Sequence, residues 1–138
     1  MTPTLRGRWQ TRLLMSLTVG VLVSGLFGVW RDEVSTTFVW LGYMTVLGLG
    51  WDVVYIRLQA WRWDHDWPPV LYLAGALWEM GVLAGVSQMV ELPGVAFDYG
   101  LWMLMLQYST IGLISFVLMF GPLRVLFPRW RFRGGQWL

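Results

Sequence analysis

Hydrophobic residues crowd this chain into four long runs, and polar residues are pushed into the gaps between them. The runs cover roughly residues 13–30, 35–57, 69–90 and 97–120. About 20 apolar residues in helical conformation cross the roughly 30 Å hydrocarbon core of a bilayer. A helix satisfies its own backbone there, which an open strand cannot do. The pattern therefore predicts an all-α integral membrane four-helix bundle, one transmembrane domain over 138 residues. Arg31, Asp32 and Glu33 make the first break, residues 60–69 the only strongly polar connection, and Glu91 to Gly94 the third break. Pro68 and Pro69 suit a helix start, where the missing N–H costs nothing.

Composition agrees. The chain is 57% hydrophobic and 13% charged, whereas soluble domains carry roughly a quarter charged residues. With no cysteine, disulfides, thiolate nucleophiles and iron–sulfur ligation are excluded. All ten basic residues are Arg, a bias that fits a GC-rich bacterial genome. Arg6, Arg8 and Arg12 before the first run resemble a secretory signal. An 18-residue apolar stretch without a small-x-small cleavage site reads instead as an uncleaved anchor.

Charge sets the expected orientation. Arg6, Arg8, Arg12, Arg57, Arg62, Arg124, Arg129, Arg131 and Arg133 fall on one side of the runs. Arg31 lies on the other with Asp32, Glu33, Glu91 and Asp98. Positive loops stay inside, so the expectation is N-in/C-in, both termini cytoplasmic, in a bacterial inner membrane. A thylakoid or other internal membrane is the alternative. The short basic-aromatic tail, with Arg129, Trp130, Arg131 and Arg133, reads as an anchor for anionic lipid, at about 1 kcal/mol per Arg, or for a partner. Three arginines make too small a footprint for nucleic acid. Of eleven tryptophans, Trp9, Trp61, Trp63, Trp67, Trp130 and Trp137 sit near one boundary and Trp30 at the other, an aromatic belt. The rival explanation is an aromatic-lined site for a quinone, carotenoid or bound lipid; no cofactor is otherwise expected.

Polar residues inside the runs carry the functional question, because hydrocarbon cannot satisfy them. Thr45, Gly48, Asp52, Tyr55 and Gln59 form one helical stripe that must face protein. Asp52, near the cytoplasmic end, is expected to pair with Arg12, Arg57 or Arg124. Glu79 lies in mid-span, and Gln107 reaches similar depth from the opposite direction, so an interhelical hydrogen bond between them is expected. Tyr72, Gly75 and Glu79 share one face of the third run; Gly81, Gly85 and Gln88 lie opposite. The first run adds a ladder of small residues, Ser16, Gly20, Ser24 and Gly28. Such faces invite close helix packing, and two opposed faces on one helix point to neighbouring membrane subunits.

No catalytic or metal constellation stands out. Asp64, His65 and Asp66 are consecutive and lack the converging ligands a metal needs, and no phosphate-binding glycine loop is present. The expected role is a small non-catalytic accessory or assembly subunit of a larger membrane complex. The alternative is an oligomeric channel or proton-coupled small-molecule carrier using Glu79. An intramembrane enzyme using Asp52 and Glu79 is weaker, because the two carboxylates are expected about 7–8 Å apart in depth.

Overall fold

A computed structural model describes residues 2–138, the side chain of Phe97 excepted. Among the described residues all regular structure is helical. Four helices are long and apolar enough to cross a membrane: α1 (Leu5–Arg31), α2 (Val34–Trp61), α3 (Pro69–Met89) and α4, whose regular part is Leu101–Phe120. Two short helices, α5 (Pro122–Leu126) and α6 (Pro128–Phe132), complete the chain. The outer surface is as apolar as the sequence suggests: Leu22 is 69%, Leu26 72% and Val29 77% exposed. An apolar exterior of this kind marks a lipid-facing or protein-facing surface, not a water-facing one.

The helix ends differ from the hydropathy edges in three places. First, α1 begins at Leu5 instead of residue 13, capped by the Thr4 hydroxyl, which accepts from the Gly7 amide at 3.1 Å. That draws Arg8 and Arg12 into the bundle. Second, α2 runs on to Trp61, so Asp52 lies nine residues from that end rather than five from Arg57. Third, α4 begins at Leu101, after a single 3₁₀ turn over Phe97–Tyr99 and Gly100 at φ +80°.

A π-helical turn at Ser16–Gly20 interrupts α1. Arg12 and Ser24, twelve positions apart, would lie about 120° from each other on a regular helix. Absorbing one extra residue reduces that to about 20°. One face of α1 therefore keeps both polar groups turned inward.

α1 packs along α2, α3 along α4, and the second half of α1 also meets α4. The small residues of α1 are consumed inside this bundle. A Cβ on Gly20 would meet Leu41 Cδ1 at 2.7 Å, and one on Gly28 would meet the Val34 backbone at 2.8 Å. Ser24 is fully buried, and Ser16 accepts a hydrogen bond from Thr45 Oγ1 at 3.0 Å. The ladder is thus an intramolecular packing device.

The two chain ends meet at one end of the bundle. The Thr4 amide donates to the Gly134 carbonyl at 2.9 Å, and Trp137 N donates to Gln10 Oε1 at 2.8 Å. Gly7 faces the Gly134 carbonyl so closely that no Cβ fits between them. Gly134 and Gly135 adopt φ +62° and +86°, which turn the tail back onto α1.

Candidate functional site

The charged stripe of α2 finds its partner on α1. Arg12 donates through Nε to Asp52 Oδ2 at 2.8 Å and through Nη2 to Oδ1 at 3.0 Å. The same guanidinium reaches α3, with Nη1 to Glu79 Oε2 at 2.9 Å and Nη2 to Oε1 at 3.0 Å. Tyr108 of α4 adds a hydroxyl to Glu79 Oε2 at 3.0 Å. Four helices are therefore tied at one node, built on Arg's ability to present a planar fork to two carboxylates at once. Asp52 and Glu79 are both buried. Gly48 leaves the space in which Arg12 lies: a Cβ there would collide with the guanidinium.

A second cation lies one turn nearer the termini. Arg8 Nη1 is 4.0 Å from Asp52, and Nη2 donates to Gln59 Oε1 at 3.3 Å. Its guanidinium stacks over Trp67, 4.5 Å from the ring centroid, a favourable placement for a cation held away from water. Tyr55 donates to the Gly75 carbonyl at 3.1 Å, and Gly75 has no side chain to obstruct the ring. Thr45, Gly48, Asp52, Tyr55 and Gln59 thus all turn inward, as their spacing requires. Arg57 is exposed and Arg124 lies over Phe120; of the three expected partners, Arg12 alone bridges Asp52.

The expected bond between Glu79 and Gln107 does not form. Glu79 lies ten residues into α3, whereas Gln107 is only six residues into α4. They therefore occupy different depths. Gln107 instead donates to Ser24 Oγ at 2.9 Å and to the Thr37 carbonyl at 3.0 Å, and accepts from Tyr99 at 3.1 Å. The depth expected between Asp52 and Glu79 is corrected as well: one guanidinium holds both.

A cavity of about 140 Å³ adjoins the charged node. Its charged lining is Arg8, Arg12, Asp52 and Glu79; Ile111, Met119 and Phe120 contribute apolar wall. The tail closes over this region. Trp130 is 4% exposed and donates to Thr11 Oγ1 at 3.1 Å, while Thr11 donates to the Gly135 carbonyl at 3.1 Å. Trp130 is accordingly a core residue, not a lipid or partner anchor. Arg129, Arg131 and Arg133 remain exposed. Trp67, too, is buried, while Trp30, Trp61 and Trp63 project outward.

The opposite face of α3 is bare. No atom among the described residues lies within 4 Å of a Cβ built on Gly81 or Gly85. The same holds for Gly42 and Gly50 of α2, whose spacing of eight went unnoticed in the sequence. In the polar loop, Arg62 pairs with Asp64 at 3.0 Å, and His65 offers its carbonyl to Gln59 Nε2 at 2.9 Å. The Arg62 guanidinium, helped by the Asp66 amide, holds the Asp64 carboxyl below the usual carboxylate range.

No protein-family profile, no curated protein and no solved structure matches this chain.

Proposed function

We propose that the chain is a small non-catalytic subunit of a larger membrane protein complex, a helper of assembly or packing. The supporting observation is the unused glycine face of α3. Glycine inside a helix costs roughly 1 kcal/mol relative to alanine. Where the fold itself presses something against a glycine, as at Gly20, Gly28 or Gly75, that cost has a local reason. At Gly81 and Gly85 it has none among the described residues. A second helix could approach the bare backbone closely there. Glu79, by contrast, no longer argues for a partner, since its hydrogen-bonding needs are met by Arg12 and Tyr108.

In this reading both termini face the cytoplasm of a bacterial inner membrane, with a thylakoid or other internal membrane as the alternative, because nine of the ten arginines fall on that side. The exposed Arg129, Arg131 and Arg133 supply affinity for anionic lipid. Gly81→Leu with Gly85→Leu should release the protein from a natively purified assembly without lowering its own thermal unfolding temperature. Purification of the wild type from native membranes as a stable, pure monomer would overturn the assignment.

A second reading, a proton-coupled carrier using Glu79, draws on the cavity that reaches this carboxylate. It requires that Glu79→Gln abolish flux in proteoliposomes with assembly intact. Absent wild-type flux, or flux unchanged in the variant, removes it.

A further inference from the structure

We infer that the tail holds one anionic phospholipid in a discrete site, with its phosphate between Arg129 and Arg133. This rests on the reading above that the tail arginines meet anionic lipid, and it narrows that diffuse attraction to two of the three. An open groove of about 420 Å³ runs along α6 and the returning tail. Leu126, Phe127 and Trp137 form its apolar wall, and Arg129, Arg133 and Gln136 its polar one. No carboxylate lines it, and neither arginine forms an ion pair among the described residues.

Helical spacing selects the pair. The Arg133 amide donates to the Arg129 carbonyl at 3.0 Å. Their side chains therefore start one turn apart, about 40° from each other around the axis and about 5–6 Å between Cβ atoms. Arg131 stands about 160° from each. It does not line the groove, and its guanidinium lies 5.8 Å from the Phe132 ring centroid. Two guanidinium forks one turn apart match the oxygens of a single phosphate. The far wall is anchored on the N-terminal end of the chain: Gln136 donates to Thr4 Oγ1 at 2.9 Å, and the Trp137 amide to Gln10 at 2.8 Å.

Two cations without a counter-ion set the sign of the occupant, and the apolar wall sets its class. The chain reaches the groove directly from the membrane-crossing α4, and Val125 and Leu126 are 79% and 69% exposed on the way. Free phosphate would use the arginines alone and leave Leu126 and Phe127 bare. An acyl chain covers both. A zwitterionic head would bring its own cation beside the pair, against their charge.

The test is calorimetric titration of the full chain in neutral dodecyl maltoside micelles at physiological salt. Short-chain phosphatidylglycerol, short-chain phosphatidylcholine and inorganic phosphate are the separate probes. Phosphatidylglycerol should saturate one to one and bind more tightly than either of the others. Arg129→Gln and Arg133→Gln should each weaken it about 10-fold, the loss of a charge-assisted hydrogen bond, at an unchanged melting temperature. Arg131→Gln should weaken it about 2-fold at most, because it acts on the phosphate only through salt-screened water. Equal losses at all three arginines would overturn the discrete site and leave the diffuse attraction standing. Phosphatidylcholine binding as tightly as phosphatidylglycerol would overturn both. The site also falls if phosphatidylglycerol does not saturate, if inorganic phosphate binds as tightly, or if Arg129→Gln and Arg133→Gln bind like wild type.

Discussion

Two buried polar nodes hold this bundle, one toward each end, and they are built from opposite materials. Toward the termini, Arg12 carries a full charge between Asp52 and Glu79. Toward the other end, Gln107 gathers Ser24, Tyr99 and the Thr37 carbonyl without any formal charge. Each joins helices distant in sequence, and each is shielded from solvent. They differ in what happens when one member is removed. Taking Arg12 from the first leaves Glu79 buried without a cation and Asp52 with Arg8 alone, 4.0 Å away, whereas taking the amide from the second leaves neutral groups short of one bond each. Packing follows the same division. The neutral node sits where α1, α2 and α4 press together around Gly28 and Trp40, while the charged node borders a cavity. Charge spans a gap that neutral side chains would have to fill.

The largest effect should come from breaking the charged node on one side only. Arg12→Met is expected to destabilise the protein by about 3–5 kcal/mol, read as unfolding free energy in micelles. Adding Glu79→Gln to that variant, which leaves Asp52 beside Arg8, should recover most of the loss. If the double variant is as unstable as the single one, the uncompensated charge was not the cause.

Gly48→Ala comes next. Its Cβ would strike the Arg12 guanidinium, so the arginine must leave its place or the helices must part, at about 1–3 kcal/mol. Arg12→Met should reduce the cost of Gly48→Ala in a double-mutant cycle; additive effects would place Arg12 elsewhere.

At the neutral node, Gln107→Leu should cost about 1 kcal/mol, in line with hydrogen bonds between membrane helices. A loss as large as that of Arg12→Met would erase the distinction between the two nodes.

The smallest expected effect lies in the polar loop. Asp64 has a lowered carboxyl pKa in the folded protein, owing first to Arg62. Its contribution to stability is therefore present above the unfolded-state value and lost as pH falls through the folded one. Asp64→Asn should flatten that acid-side slope slightly in pH-dependent unfolding. An unchanged slope would mean that the Arg62 pairing is not formed in solution.

The stripe on α2 was legible because periodicity alone forces four polar positions and Gly48 onto one face. Arg12 was legible as one of three arginines able to pair with Asp52, but its bond to Glu79 was not, since hydropathy began the first run at residue 13 and left the arginine outside. The helix in fact starts at Leu5, and Arg8, Thr11 and Arg12 follow on its inward side. Gln107 was misplaced for a related reason: counting from Phe97 put it level with Glu79, but Gly100 delays the helix to Leu101. Nothing in local pattern singles out Tyr108, because its role depends on the distance between helices. The return of the tail was hidden too. Alternating arginine and tryptophan reads as a membrane anchor until Gly134 and Gly135 turn Trp130 and Trp137 back onto α1.

Arg12 sits within the bundle, held by Asp52 and Glu79, and does not reach to the headgroups. Solid-state NMR of the protein in phospholipid bilayers, with ¹⁵N-labelled arginine and ¹³C-labelled carboxylates, measures this directly. Arg12 should show dipolar contacts to both Asp52 Cγ and Glu79 Cδ and none to lipid ³¹P. Contact with phosphorus, and none with Glu79, would contradict it.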